Sequence, residues 1–168
     1  HDATADEVKE LYSRKTRYFR ELPAVEVMPG APDMIRTLMD RGVARVLVTG
    51  SGQSSLINRL DTDFPGAFLP HLRVTAYDVE HGKPDPEPFL KAAEKVGVPI
   101  AECIAIDNAP SGVMSASRSG AFAVGVVTGP IPSSSLWDAG ADVVFSSMPE
   151  FAAALPALLD AIDDAGES

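Results

Sequence analysis

Hydrophobic positions near the start of the chain recur at helical spacing. Val8 and Leu11 are three residues apart, and further apolar side chains follow at similar intervals, which places them on one face of an α-helix. Thr4 followed by Glu7 matches the capping box that begins many helices. The pattern therefore predicts a helix over residues 4–22.

From residue 46 onward, short apolar runs alternate with helical patterns. The runs are rich in β-branched residues and lack polar alternation, which is typical of strands buried on both faces of a sheet. We predict strands at 46–49, 73–76, 103–106, 122–127 and 142–145, and helices at 32–42, 54–60, 87–96, 111–119, 133–139 and 149–161. Strands separated by helices form parallel sheets, so the predicted fold class is α/β.

Composition and charge narrow the classes of partner. Of the 168 residues, 24 are acidic and 14 basic, so the net charge is −10, which disfavours nucleic acid and anionic lipid as partners. No apolar run reaches the roughly 18 residues of a membrane helix, so we expect no membrane partner. The single cysteine, Cys103, fits a reducing compartment and predicts a cytoplasmic location.

The first candidate site follows the strand predicted at 46–49. Thr49 ends this strand, and Gly50 and Ser51 follow it. Glycine lets the backbone approach a ligand closely, and the N-terminus of the next helix attracts anions. Ligands in parallel sheets bind beyond the carboxyl ends of the strands. The segment therefore fits a phosphate-binding turn, and it fits a tight turn capped by serines equally well.

Two further strand ends carry polar groups. Lys83 stands between Gly82 and Pro84, a setting that defines its backbone path, although such loops are common turns and most lysines are solvated. Asp107 and Asn108 follow the third strand and offer oxygen ligands that suit Mg²⁺, although aspartate there is also a frequent helix cap. Together the three strand ends predict a phosphate pocket with a magnesium ion on one side.

These segments, in this order, resemble motifs II, III and IV of the haloacid dehalogenase superfamily, in its β-phosphoglucomutase-like subgroup. The matching segments are VLVTGSG, HGKPDPEPFLKAAEKVGV and CIAIDNAPSGVMSASRSGAFAVGV. The resemblance implies a three-layer α/β/α, Rossmann-like parallel sheet. The segment ELYSRKTRYF is similar to the last helix of the subgroup's α-helical cap. We therefore expect residues 1–24 to be the cap remnant and residues 25–168 the core.

The resemblance also implies a reaction and residue roles. The reaction is magnesium-dependent phosphoryl transfer, through an aspartyl-phosphate, on a small phosphorylated metabolite such as a sugar phosphate. Both phosphatase and phosphomutase outcomes stay open, and we expect a monomer or weak dimer. The implied residues are Thr49 and Lys83 for catalysis, Thr49, Gly50, Ser51 and Lys83 for phosphate, Asp107 and Asn108 for the metal, and Lys15 for a substrate contact.

The sequence departs from the family pattern in two places. Asn108 stands where the subgroup usually has a second acid, so we expect weaker magnesium binding or a changed specificity. The DxDGT/V sequence that carries the family's nucleophile is absent, and we interpret Asp61-Thr62-Asp63 as a loop. The chain begins with His1 and not Met. We therefore expect that the core lacks its central nucleophile strand and that an N-terminal segment supplies it.

Two alternatives stay open at this stage. A dinucleotide-binding domain is suggested by Gly50-Ser51-Gly52 after a strand, but Ser55 replaces the third glycine of that fingerprint. A non-catalytic fragment or phosphate-binding domain is suggested by the missing nucleophile. An activity assay with and without a segment that carries the aspartate motif would separate the second alternative from an enzyme.

Overall fold

The computed structural model describes residues 4–21 and 26–166. In the described part, helices and strands alternate after residue 46, as the pattern predicts. The helices are α1 (Ala5–Glu21), α2 (Ala31–Asp40), α3 (Ser54–Asp63), α4 (Glu87–Val96), α5 (Pro110–Ser119), α6 (Ser133–Asp138) and α7 (Met148–Gly166). The strands are β1 (Leu47–Val48), β2 (Arg73–Val74), β3 (Ile104–Asp107), β4 (Phe122–Val126) and β5 (Val143–Phe145).

Helix α1 begins with the predicted capping box. The Glu7 carboxylate accepts hydrogen bonds from the backbone N–H and the hydroxyl of Thr4, at 2.7 and 2.9 Å. The backbone N–H of Glu7 donates to the Thr4 hydroxyl at 3.3 Å. Val8 and Leu11 are 52% and 59% exposed. The assignment of this helix to a cap stays a prediction. Within the described residues, no helix is long and apolar enough to cross a membrane.

The strands form two parallel groups. β1 pairs with β2, with Leu47 opposite Arg73, and β4 lies between β3 and β5. Asp107, the last residue of β3, is opposite Gly125 of β4. Among the described residues no ladder joins β1 to β3. The carboxyl ends of β1, β2 and β3 carry the candidate residues.

The larger sheet is covered on both faces. Ile104 and Ile106 of β3 pack against a hydrophobic cluster that contains Phe151 of α7. Helix α2 packs against α7 on this side. Ala105 points to the other face, where it meets Phe89 of α4. Because successive side chains in a strand alternate between faces, this division confirms the three-layer α/β/α arrangement.

Small residues on the second face let helices approach the sheet. Ala105 and Ala123 belong to the cluster that includes Ala116 of α5. A Cβ atom added to Gly125 would lie 3.1 Å from the Cβ atom of Leu136 in α6. Helix α5 is therefore held close to β3 and β4, and its first turn lies beside the end of β3.

Several predicted bounds need correction. The strand predicted at 73–76 ends at Val74, and the helix predicted at 149–161 is Met148–Gly166. The segment Asp61-Thr62-Asp63, interpreted as a loop, forms the last turn of α3, where Arg59 binds Asp63 across one helical turn at 2.7 Å. The strand predicted at 103–106 lies one residue later, at Ile104–Asp107. Asp107 is therefore itself the last residue of the strand.

Candidate functional site

Thr49 continues β1 and then turns the chain toward α3. Its backbone N–H donates to the carbonyl of Val74 at 2.9 Å, which holds it beside β2. Its hydroxyl accepts the N–H of Ser51 at 3.1 Å, and the Ser51 hydroxyl accepts the N–H of Gln53 at 3.2 Å. The two hydroxyls thus shape the turn, which is the bond pattern of Ser/Thr turns.

Lys83 joins the two groups of strands. Its ammonium donates to the carbonyl of Val48 at 3.1 Å and to Oδ2 of Asp107 at 2.8 Å. It also lies 5.1 Å from the centre of the Phe89 ring, within the range of a cation–π contact. The Lys83 and Asp107 side chains are 18% and 12% exposed. A half-buried positive charge therefore lies between the ends of β1 and β3.

Hydrogen bonds fix the turn that carries this lysine. The hydroxyl of Ser115, a fully buried residue of α5, donates to the carbonyl of Asp85 at 2.5 Å. The Glu87 carboxylate accepts the backbone N–H groups of Glu80 and His81 at 2.9 and 2.8 Å, and these bonds lower the pKa of Glu87. The turn is therefore attached to both α4 and α5.

Asp107 is held by three neighbours. Oδ2 is paired with Lys83, and Oδ1 accepts the N–H of Ala109 at 2.9 Å, so the aspartate also supports the turn into α5. A Cβ atom added to Gly112 would lie 2.0 Å from Cγ of Asp107. The carboxylate therefore occupies the space that the missing side chain of Gly112 leaves.

Asn108 is positioned by a residue of the segment that follows β4. Its Nδ2 donates to the hydroxyl of Thr128 at 2.7 Å, which leaves its amide oxygen as the group available to a ligand. The described residues contain no cluster of three or more His, Cys, Asp or Glu side chains that could hold a metal ion. The oxygen donors at this edge are thus one carboxylate and one amide, and they suit a hard cation that keeps several water ligands.

A pocket of about 170 Å³ opens beside Lys83. Its lining brings together Thr49, Gly50 and Lys83, three of the predicted phosphate residues. The fourth, Ser51, is not part of the lining. The other lining residues are Thr75, Ala76, Val79, Glu80, Gly82 and Pro88.

Sequence reasoning missed Thr75, although the rule that pointed to Thr49 also applies to it. Thr75 comes directly after β2, so its hydroxyl was detectable as a polar group at a strand end. Oδ2 of Asp78 accepts its N–H at 2.8 Å and its hydroxyl at 2.7 Å. These bonds, together with Lys95 at 3.1 Å, lower the pKa of Asp78 to about 2.

One predicted residue cannot be placed relative to this pocket. Lys15 lies within α1, and its side chain is outside the described residues. Its proposed contact with substrate stays a prediction. Thr49, Gly50, Asp107 and Asn108, in contrast, lie at or just beyond the carboxyl ends of β1 and β3. The ammonium of Lys83 contacts both of these strand ends.

Comparison with known families decides the classification. The haloacid dehalogenase-like hydrolase family matches residues 1–120. This match includes α1 and every residue of the site except Thr128. The chain belongs to the haloacid dehalogenase-like hydrolase family.

Relatives place this hydrolase chain in the β-phosphoglucomutase-like subgroup. It is 32% identical to the validoxylamine A 7′-phosphate phosphatase of Streptomyces hygroscopicus over 64% of the chain and 50% of the relative. It is also 32% identical to the beta-phosphoglucomutase of Bacillus subtilis, over 75% and 56%. A solved structure, a candidate beta-phosphoglucomutase from Bacteroides vulgatus, is 41% identical with a TM-score of 0.91, over 96% of this chain and 65% of that one. The chain thus spans about half the length of these curated relatives.

Proposed function

We propose that this chain is the phosphate-binding core of a phosphatase or phosphomutase that acts on a small phosphorylated carbohydrate. One observation carries the proposal. The ammonium of Lys83 lies between the carbonyl of Val48 and the carboxylate of Asp107, at a pocket lined by Thr49 and Gly50. The relatives support the substrate class, because one acts as a phosphatase of validoxylamine A 7′-phosphate and another is a beta-phosphoglucomutase.

The charges of the site suit phosphoryl transfer. The transferred group carries negative charge on its outer oxygens, so stabilisation comes mainly from positioned cations and N–H donors. Lys83 supplies the cation, and the backbone of Gly50 can approach the phosphate without a side chain in the way. With a net charge of −10, most of the protein repels an anion, so binding depends on this local group.

Asp107 and Asn108 would hold magnesium through one carboxylate and one amide oxygen. The donor set fits, since magnesium is usually bound by one or two carboxylates together with water and substrate phosphate. Bound there, the ion would neutralise part of the phosphate charge and fix its orientation. Asp107 also forms an ion pair with Lys83 at 2.8 Å, and Asn108 is neutral. We therefore expect weak magnesium binding that becomes stronger when phosphate is bound.

The nucleophile of the proposed reaction is not among the residues of this site. We propose that an aspartate from a separate segment attacks phosphorus while the P–O bond to the sugar breaks. The second aspartate of the same DxDG sequence donates a proton to the sugar oxygen, which leaves as a hydroxyl. Water then completes a phosphatase reaction, whereas a second sugar hydroxyl completes a mutase reaction. In the described residues no ladder joins β1 to β3. This supports a position for that segment beside these two strands. A chain that only binds phosphate is the second candidate, favoured by the pairing of Lys83 with Asp107.

Calorimetric titration with inorganic phosphate tests the proposal. We expect Lys83→Gln to weaken phosphate binding about tenfold or more, because a charge-assisted hydrogen bond is lost. Lys83→Arg should keep most of the affinity. Lys91→Gln, on α4 and outside the pocket lining, is the control for net charge and should have little effect. Circular dichroism checks that each variant is folded, and equal affinity of wild type and Lys83→Gln would refute the site.

Several expectations from the sequence stay predictions. They are the roles of Ser51 and Lys15, a monomer or weak dimer, a cytoplasmic location, and the absence of nucleic acid or membrane partners.

Magnesium dependence is tested by the same titration with and without the ion, where Asp107→Asn should remove any gain in phosphate affinity.

A further inference from the structure

Tyr77 is the most exposed large apolar or aromatic side chain among the described residues, at 85%. It directly follows Thr75 and Ala76, which both line the pocket. Large aromatic side chains dominate the energetics of binding sites when a ligand covers them. An uncovered ring next to a pocket therefore has a surface that a ligand can use.

Gly52 provides the space in which this ring lies. A Cβ atom added to Gly52 would be 2.3 Å from Cε2, 2.6 Å from Cζ and 2.9 Å from the hydroxyl oxygen of Tyr77. The hydroxyl end of the ring therefore lies against the turn that follows Thr49. No side chain larger than hydrogen fits at position 52 while the ring keeps this place.

The backbone that carries the ring is also fixed. The N–H of Tyr77 donates to the Thr75 hydroxyl at 3.3 Å, and the same hydroxyl donates to Asp78 at 2.7 Å. Lys95 of α4 binds Asp78 at 3.1 Å and the carbonyl of Arg73 at 2.6 Å. The turn is thus attached to the end of β2 and to α4, which limits where the ring can move.

We propose that Tyr77, supported by Gly52, recognises the carbohydrate part of the substrate. This inference rests on the proposed function, in which the phosphate occupies the pocket beside Lys83. Thr75 and Ala76 line this pocket and Tyr77 follows them directly, so the ring stands next to the place where a sugar joined to that phosphate would lie. The ring face can pack against the C–H groups of a sugar, and the phenol can exchange hydrogen bonds with its hydroxyls.

Titration with two kinds of ligand tests the role of the ring. The probes are inorganic phosphate and a panel of glucose 1-phosphate, glucose 6-phosphate and a hexitol 6-phosphate. We expect at least one sugar phosphate to bind more tightly than phosphate. Tyr77→Ala should weaken binding of that sugar phosphate about five- to tenfold and leave the affinity for inorganic phosphate unchanged. The matched control is Phe122→Ala, an aromatic residue that is 40% exposed at the opposite end of the sheet, and it should change neither affinity.

A double-mutant cycle separates the ring from the turn beneath it. Gly52→Ala should displace the ring and weaken binding of the sugar phosphate. The same change in a Tyr77→Ala background should cause little further loss of affinity. Tyr77→Phe measures how much the Tyr77 hydroxyl contributes to the affinity for the sugar phosphate. If no panel member binds more tightly than phosphate, or if its advantage survives Tyr77→Ala, the inference is wrong. Phosphate binding that does not depend on Lys83 would instead refute the proposed function.

Discussion

Gly112 shows how one missing side chain shapes the site. It lies in the first part of α5, where alanine is normally favoured over glycine by about 1 kcal/mol. A Cβ atom at this position would lie 2.0 Å from the carboxylate carbon and from Oδ2 of Asp107. The carboxylate is held there by Lys83 and by the N–H of Ala109, so it cannot move without breaking a bond.

We expect Gly112→Ala to weaken both folding and phosphate binding. The clash should outweigh the gain in helix propensity, with a net loss of about 1–3 kcal/mol in the free energy of unfolding. Displacement of Asp107 should also move Lys83 and weaken phosphate binding several-fold. Urea denaturation and phosphate titration measure the two effects. Gly129→Ala, at a glycine with no atom within 4 Å of an added Cβ, is the control, and a more stable Gly112→Ala variant would contradict the expectation.

At the scale of elements, hydrogen bonds and an ion pair at Asp78 hold the turn from β2 to α4. Asp78 accepts two bonds from Thr75 and pairs with Lys95 of α4. Lys95 also donates to the carbonyl of Arg73 in β2. The bonds from Thr75, and then Lys95, lower the pKa of Asp78 from its ordinary value of 3.8 to about 2.

This pKa shift predicts a specific dependence of stability on pH. A carboxyl group with a lowered pKa in the folded state stabilises the fold above its ordinary pKa, and the contribution disappears as pH falls through the folded value. We expect Asp78→Asn to lower the free energy of unfolding by about 1 kcal/mol at pH 7. The difference from wild type should shrink between pH 4 and pH 2.

Urea denaturation at several pH values measures this difference. Asp138→Asn, an exposed residue at the end of α6, provides the control and should show no comparable trend. A loss in Asp78→Asn that stays constant down to pH 2 would mean that the bonds of the ionised carboxylate are not its source.

At the scale of the whole molecule, the two strand groups are joined by side chains and helices. Lys83 contacts both Val48 and Asp107, and Phe89 of α4 belongs to a cluster that Val48 also contacts. An unpaired strand edge is a template for another strand. The edges of β1 and β3 that lack a partner among the described residues are therefore candidates for pairing.

We expect a separate apolar strand that ends in a DxDG sequence to bind at these edges. Hydrogen exchange of the full chain should then show protection of the amides of β1 and β3, and the mixture should gain phosphatase activity on a sugar phosphate. A strand peptide with both aspartates changed to asparagine should protect the amides without activity. Activity of the chain alone, or activity without protection, would contradict this prediction.

Several features of the molecule follow from local sequence. The capping box of Thr4 and Glu7, the helix at Glu87–Val96 and the parallel α/β class were predicted and are confirmed. Local rules suffice there because capping and side-chain periodicity involve residues that are neighbours along the chain. Thr49, Lys83 and Asp107 were predicted to lie at strand ends, and parallel strands bring such ends to one edge.

Other features were decided only by tertiary structure. No local rule shows that Lys83 reaches both Val48 and Asp107, or that the ring of Tyr77 lies against Gly52. Lys83 is 35 positions from Val48 and 24 positions from Asp107 along the chain. The sequence by itself thus determined the elements and the edge at which chemistry is placed. The packing of α4 and α5 on the sheet decided which side chains meet there, because it sets distances that periodicity does not encode.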